Sequence, residues 1–239
     1  MDNISFLCRY SFITNKLRYC GPEDAYKKFL QYIKEPTKEL AEEIKSHIKR
    51  FEGLYPYLKA IAEKNNLDEF DYRVAEAYWL GNELLDKFTA EDNRKIIMSL
   101  AERGLPRSFA EKLCVDIPNM FPHHSFNVVY VGVGKITGSV PTNLENINNC
   151  LIRPAEVISV HDDYVIARHR PYKELKGNLY LDEPQDGKFE YIPEFGNVKE
   201  GNIVSLHWNY VVDTLDAKAL GNLLVYTEKN LFADRFTKN

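Results

Sequence analysis

Five side chains in four short stretches of this sequence have the chemistry of metal ligands or nucleophiles. Two of them flank β-rich segments: Cys150 precedes a run with the two-residue period of a strand, and His207 ends another such run. A cysteine at the start of a strand, open to solvent, can deprotonate and exchange ligands, which makes Cys150 a candidate metal ligand. The alternative interpretations are a small buried cysteine at position 150 and a structural, hydrogen-bonded histidine at position 207.

The adjacent histidines His123 and His124 form the second stretch, within residues 122–126. If the backbone is extended there, the two rings point to opposite sides, so that one of them faces a site. With Cys150 or Cys20 they can coordinate a transition metal, or they can act as a proton relay beside the cysteine. No second pair of ligands follows at zinc-finger spacing, which argues against a closed structural zinc site.

Cys20 is the remaining candidate, a second thiol directly before Gly21 and Pro22, which are typical of a helix start. The positive end of the helix dipole would lower the pKa of this thiol and make it reactive. The other interpretation is an ordinary capping turn, in which Gly21 provides backbone freedom.

The elements that position these residues change their period near Pro118. Before that residue the apolar side chains repeat at three and four, which predicts five or six short helices. The clearest helix spans about residues 68–88, and Gly81 within its apolar stripe predicts the close approach of another helix. Thr89 and Asp216 are predicted to be helix N-caps.

The second half of the chain has the period of strands. Residues 126–133 predict a strand, and residues 155–160 and 164–170 predict a hairpin around an acidic turn. About six strands are expected before a final helix with a leucine stripe. Residues 138–149 are rich in proline, threonine and asparagine and are the most linker-like part.

These patterns predict an α+β fold in two domains. A helical domain is expected over residues 1–118, and a small β-barrel with a C-terminal helix over residues 119–239. Four widely spaced cysteines without a CxxC pair favour a reducing compartment, and no segment approaches the ~20 apolar residues that span a membrane. A cytoplasmic protein is therefore expected. The net charge of −4 gives no reason to expect nucleic acid or a membrane as partner.

Residues 150–231 resemble HypC, the maturation chaperone of nickel–iron hydrogenases, in the order and spacing of their parts. The Cys-Leu-x-x-Pro that opens HypC is matched by Cys150, Leu151 and Pro154. A strand pair with an acidic turn follows, and a Val-x-x-Gly-x-x-Val-x-x-His pattern ends at His207. The likeness covers about a third of the chain.

The resemblance implies an OB-like barrel in which Cys150 holds an iron that carries cyanide and carbonyl ligands. It also implies a protein partner, namely a hydrogenase-type client that receives the iron. The chain departs from HypC in three places. Cys150 is internal, whereas the HypC cysteine follows the initiator methionine; Asn209 and Tyr210 replace a Gly-Phe; and a hairpin is inserted around residues 173–195.

The whole chain also resembles an uncharacterised archaeal and bacterial family. This likeness involves Arg-Tyr-Ser-Phe at residues 9–12, Tyr-Cys-Gly-Pro at residues 19–22 and Pro-His-His-Ser-Phe at residues 122–126. It supplies no mechanism.

Three functional hypotheses follow, of which a non-enzymatic one is favoured. The first is a HypC-like assembly factor that binds an iron centre or a hydrogenase-type client through Cys150. The second is a cysteine-dependent enzyme, with Cys150 or Cys20 as nucleophile and His123, His124 or His207 as base. The third is a protein-interaction module in which the cysteines are structural.

Overall fold

The computed structural model describes residues 2–233, in which most helices precede the strands. Ten α-helices lie in these residues: α1 Asn3–Lys16, α2 Ala25–Lys34, α3 Lys38–Ile48, α4 Tyr55–Asn65, α5 Tyr72–Trp79, α6 Ala90–Ala101, α7 Arg107–Leu113, α8 His124–Phe126, α9 Leu144–Cys150 and α10 Ala217–Leu231. Seven strands follow α9: β1 Arg153–Val160, β2 Tyr164–His169, β3 Tyr172–Leu175, β4 Asn178–Leu181, β5 Gln185–Glu190, β6 Ile203–His207 and β7 Tyr210–Thr214. The predicted α+β class and the helical N-terminal part are confirmed. No helix in this part of the chain has both the length and the apolar character needed to cross a membrane.

Five of the strands form a mixed sheet. They pair in the order β1-β2-β5-β7-β6, and β6 pairs again with β1, so that the hydrogen-bonded ladder closes on itself. The hairpin predicted around the acidic turn is the β1–β2 pair. β3 and β4 form a separate two-stranded sheet, which accounts for the insertion expected around residues 173–195.

The main apolar core extends across the predicted domain division. One cluster of buried side chains contains Leu7 of α1, Val74 of α5, Leu151 from the junction of α9 and β1, and Leu223 of α10. A smaller core, which includes Val157, fills the interior of the five-stranded sheet. The division after residue 118 therefore stays a prediction about the chain's organisation, and the packing across it is continuous.

The strand predicted at residues 126–133 is wrong, because this segment is helical. α8 continues into a π-helix at Asn127–Gly132, and Val128 and Val131, three residues apart, are the buried side chains. The ring of His123 accepts a hydrogen bond from the backbone N–H of Ser125 and so caps the segment. The β-branched composition suggested a strand, but burial of one helical face overrides that local preference.

The linker-like stretch at residues 138–149 also contains a helix. The Asn143 side chain accepts a hydrogen bond from the N–H of Asn146 and begins α9, which ends at Cys150. Cys150 thus lies at a helix–strand junction and is only 7% exposed. The expectation of an open cysteine at a strand start is wrong, since the helix carries its side chain into the core.

Three local predictions in the helices are confirmed. Thr89 and Asp92 form a reciprocal capping box at the start of α6, and Asp216 accepts a hydrogen bond from Ala219 at the start of α10. Gly81 lies against the ring of Tyr226 in α10, which is the close helix approach expected from its place in the apolar stripe. The helix predicted over residues 68–88 is shorter than expected and ends at Trp79.

The β1–β2 pair contains a buried Arg153, whose Nη1 donates to His169 Nδ1 at 2.8 Å. Burial, and then the charge of Arg153, lower the pKa of His169 to about 4. The unfolded chain binds a proton at this histidine near pH 6.5, whereas the folded chain does so only near pH 4. The free energy of unfolding should therefore fall as the pH drops through this window.

A His169→Gln variant should lack this pH dependence, because the amide keeps an acceptor for Arg153 and does not titrate. Relative to the variant, the wild type should lose about 1 kcal/mol between pH 7 and pH 5, allowing for screening by water at the half-buried ring. Urea unfolding at both pH values measures this difference. Parallel pH dependence in the two proteins would contradict the assignment.

Candidate metal centre

Three of the predicted site residues meet at one point, although they are distant in sequence. His124 comes from α8, Cys150 from the end of α9 and His207 from the end of β6, and all three are buried. One ligand atom from each lies within 4.8 Å of the other two, and His124 Nε2 is 3.8 Å from Cys150 Sγ. Ligands bonded to one metal ion lie roughly 3.3–3.8 Å apart, so a shift of about 1 Å closes the set.

The hydrogen bonds around His124 are one proton short when its ring is neutral. Burial lowers the pKa of His124 to about 4, so the ring carries one N–H at neutral pH. The hydroxyl of Tyr78 donates to the carbonyl of Gly53 at 2.8 Å and also lies 3.1 Å from His124 Nδ1. His124 Nε2 lies 2.9 Å from the carbonyl oxygen of Cys150.

Three contacts therefore share two protons, one on the Tyr78 hydroxyl and one on the imidazole. In either tautomer of His124, one pair of acceptors faces each other without a proton between them. A cation on Nε2 resolves the shortage, because Nδ1–H then donates to Tyr78 while Tyr78 donates to Gly53. A metal-bound histidine usually has such a partner for its other ring nitrogen.

His207 is fully buried and has unused lone-pair and donor capacity. Within residues 2–233 neither of its ring nitrogens makes a hydrogen bond of standard geometry. Burial, and then the neighbouring His124, lower its pKa well below the usual value, while the backbone of Tyr10 opposes that shift. Leaving a buried polar group unsatisfied costs about 1–3 kcal/mol. A neutral, unsatisfied imidazole next to a thiol is available to bind a metal.

The thiol of Cys150 is protonated in this environment. Burial raises its pKa to about 12, and the side chain of Trp208 partly offsets that rise. The expectation of a thiolate open to solvent is therefore wrong for the metal-free protein. A metal ion displaces the thiol proton when it binds, so that this sulfur remains a competent ligand.

His123 lies outside the group of three that the described residues form. Its Nδ1 is 2.8 Å from the hydroxyl of Ser125, and burial, followed by the adjacent His124, lowers its pKa to about 3. Of the two adjacent histidines, His124 is the one that joins Cys150. Metal binding by His123 stays a prediction, and His123 does not belong to the group of three ligand residues.

Cys20 also lies outside the group, and its predicted activation by a helix dipole is wrong. α2 begins at Ala25, too far along the chain for its N-terminus to act on the thiol. Burial, and then the negative charge of Glu52, raise the pKa of Cys20 instead, and its sulfur donates to Glu52 Oε2 at 3.4 Å. Cys20 does line the same cavity as His124 and Cys150.

Sequence reasoning missed the aromatic residues that surround the group. The ring of Trp79 lies 4.6 Å from that of His124 and 5.6 Å from that of His207. Its position beside the apolar stripe of its helix, rather than on it, is the one signal in the sequence that points to this residue. Tyr78 and Trp208 carried no signal except their proximity in sequence to Trp79 and His207.

The thiol–imidazole pair required by an enzyme is also present, but its setting does not favour catalysis. His124 Nε2 approaches the Cys150 carbonyl more closely than the sulfur, and burial keeps the thiol protonated and the imidazole neutral. The adjoining cavity has a volume of about 70 Å³. Pockets for organic ligands are usually about 300–1,000 Å³. The arrangement suits an ion with small ligands better than an organic substrate.

Comparison with known proteins places the chain in a family. The profile described as "Family of unknown function (DUF6390)" matches residues 3–237. No curated protein and no solved structure matches the chain significantly. The match covers nearly all of the sequence, and the chain belongs to the DUF6390 family.

Proposed function

We propose that the protein binds a transition metal ion through His124, Cys150 and His207 and acts as a HypC-like metallocentre assembly factor. The observation that carries this proposal is the convergence of three buried ligand atoms within 4.8 Å of one another. Two further features support it: the proton shortage around His124, and the unsatisfied imidazole of His207.

The donor set restricts the choice of metal. One thiolate and two imidazoles suit iron, cobalt, copper or zinc, whereas magnesium and calcium prefer oxygen ligands. Iron is the metal implied by the resemblance to HypC, since a thiolate is a good donor to a low-spin iron with cyanide and carbonyl ligands.

The assembly role rests on the residues that carry the HypC resemblance. Cys150 and His207, which open and close the matched pattern, belong to the same ligand group. The chain from Cys150 to His207 contains four of the five strands of the closed sheet, and β7 and α10 follow. The expected partner is a hydrogenase-type client that receives the metal.

Cobalt binding tests the metal site. Wild-type protein titrated anaerobically with Co²⁺ should develop a thiolate-to-cobalt charge-transfer band that saturates at one ion per chain. Cys150→Ser should bind cobalt at least about 100-fold more weakly, because a direct ligand is removed, and should show a weaker band at stoichiometric cobalt. Cys114→Ser, at a partly exposed cysteine outside the group, is the matched control. Equal titrations for all three proteins would refute the site.

A second experiment separates metal binding from assembly. Wild-type protein purified anaerobically from a host that makes a nickel–iron hydrogenase should contain iron and show infrared bands of cyanide and carbonyl. Cys150→Ala should lack the iron and the bands. Cobalt binding without iron, bands or a co-purifying hydrogenase subunit would retain the metal site and reject the assembly role.

A further inference from the structure

The cavity of about 70 Å³ beside the proposed metal site contains a second thiol. His124 and Cys150 line the buried end of this cavity, and Cys20, which is partly exposed, lines it together with the exposed residues Thr137 and Ser139. The volume holds only a few atoms. Both sulfurs therefore border one small space that leads from the protein surface to the ligand group.

The three residues of the group leave a divalent ion that carries no small ligands of its own, such as added Co²⁺, short of both negative charge and coordinating atoms. One thiolate and two neutral imidazoles give a net charge of +1, and ions of this kind usually take four ligands in such sites. An uncompensated buried charge is costly, and within the described residues the group contains no carboxylate. A second thiolate would make the site neutral and four-coordinate.

Two aromatic residues connect the thiols physically. The ring of Trp208 packs on Tyr19, the neighbour of Cys20, with 4.5 Å between the ring centroids. Its backbone N–H donates to Asn149 at 2.6 Å, which holds the His207–Trp208 turn against the end of α9. Tyr78 lines the cavity together with both cysteines, and its hydroxyl lies 3.1 Å from His124 Nδ1.

Trp208 also carries an unsatisfied donor at this cavity. The residue is 7% exposed, and its indole N–H has no hydrogen-bond partner of standard geometry among residues 2–233. Thiolates are strong acceptors, whereas thiols are weak ones. The indole N–H is directed at the sulfur of Cys150, and a thiolate there would be a strong acceptor for it.

We propose that Cys20 is the fourth ligand of the metal and completes a set of two cysteines and two histidines by turning from Glu52 into the shared cavity. This inference rests on the proposed function. The S–H bond of Cys20 breaks as the sulfur lone pair binds the ion, and the proton passes to the Glu52 carboxylate and then to solvent. Glu52 is held for this by the N–H of Gly21 at 2.8 Å.

The position of Cys20 also assigns its role among the four ligands. It lies on the partly exposed side of the cavity, whereas His124, Cys150 and His207 are buried. The Cys20–metal bond is thus the one that a client or chelator reaches first. In an assembly factor it acts as the exchangeable ligand that opens the site for transfer.

Cobalt spectroscopy counts the thiolates. Cys20→Ser should still bind one Co²⁺ per chain, but its charge-transfer absorbance per cobalt should fall to about half of the wild-type value, because one of two sulfur–metal bonds is missing. Release of cobalt to a chelator should be at least about tenfold faster. Cys114→Ser should keep the wild-type absorbance, since it changes no ligand.

Protection from alkylation tests the same inference in the unaltered protein. Cobalt should protect Cys20 from iodoacetamide, as measured by peptide mass spectrometry, and should leave the reactivity of Cys114 unchanged. Wild-type absorbance and release rate in Cys20→Ser, with no protection of Cys20, would overturn the inference while leaving the three-residue site intact. Absence of a charge-transfer band in the wild type would instead refute the proposed function itself.

Discussion

Replacing His207 with leucine should stabilise the metal-free protein while removing its response to metal. Leucine has a similar volume and needs no hydrogen bond, whereas neither ring nitrogen of the buried His207 makes a hydrogen bond of standard geometry in the described chain. Relief of this unsatisfied group should raise the free energy of unfolding by about 1–2 kcal/mol. A substitution that stabilises the protein at the expense of binding is the signature expected of a functional residue.

Bound metal should make the wild type more stable than His207→Leu, which is the reverse of the order expected for the metal-free proteins. Wild-type protein with free Co²⁺ at 1,000 times its Kd should gain about 4 kcal/mol, because the ion binds the folded state preferentially. His207→Leu should gain almost none of this. Urea unfolding with and without cobalt measures both effects in one series.

His123→Leu is the matched control, because it makes the same change at a buried histidine outside the ligand group. Its ring contacts the hydroxyl of Ser125 at 2.8 Å, so the substitution should destabilise the protein and leave the cobalt gain intact. Opposite signs at the two positions are the expected result. A destabilised His207→Leu that keeps the cobalt gain would assign His207 a structural role.

The residue types of the site could be predicted from the sequence, whereas its geometry could not. Thiol and imidazole chemistry was sufficient to nominate Cys150, His124 and His207. Their convergence depends on how α8, α9 and β6 pack, and no local spacing records that packing. The same chemistry also nominated His123, one residue from a ligand, which packing places on Ser125 instead.

The errors about accessibility have local causes. Position 150 has two interpretations in the sequence, an open cysteine at a strand start and a small buried one, and burial prevails because Asn143 caps a short helix in residues 138–149 that directs the cysteine into the core. Activation by a helix that starts at Pro22 is one of the two interpretations of Cys20, whereas α2 begins at Ala25. In both places the side chains around the thiol, rather than its sequence neighbours, determine its pKa.

Capping and close-packing signals were more dependable, because they act over a few residues. Thr89 and Asp216 cap the predicted helices through hydrogen bonds to backbone N–H groups three residues away. Gly81 marked a close contact, although the sequence did not identify Tyr226 as its partner. The identity of a partner distant in sequence is again a property of the packing.

Gly81→Ala should destabilise the protein by about 3 kcal/mol. Gly81 has φ of +86°, a left-handed conformation that costs an alanine about 1–2 kcal/mol. A Cβ atom there would also overlap the ring of Tyr226 and lie 2.7 Å from its Cγ. That ring cannot withdraw easily, because it is buried and its hydroxyl donates to Asp86 at 2.8 Å. Forced overpacking adds a further 1–3 kcal/mol, approximately.

Gly221→Ala provides the control for this prediction, since it makes the same change inside α10. A Cβ atom at Gly221 meets no atom within 4 Å, so the protein should become about 0.5–1 kcal/mol more stable. In the double variant Gly81→Ala/Tyr226→Ala the overlap is relieved, whereas the backbone strain remains. The relieved overlap should therefore appear as a coupling of about 1–2 kcal/mol. Urea unfolding of the wild type, the three single variants Gly81→Ala, Gly221→Ala and Tyr226→Ala, and the double variant measures these differences. A Gly81→Ala variant within 0.5 kcal/mol of the wild type would show that the Tyr226 ring of α10 does not press on the chain at the end of α5.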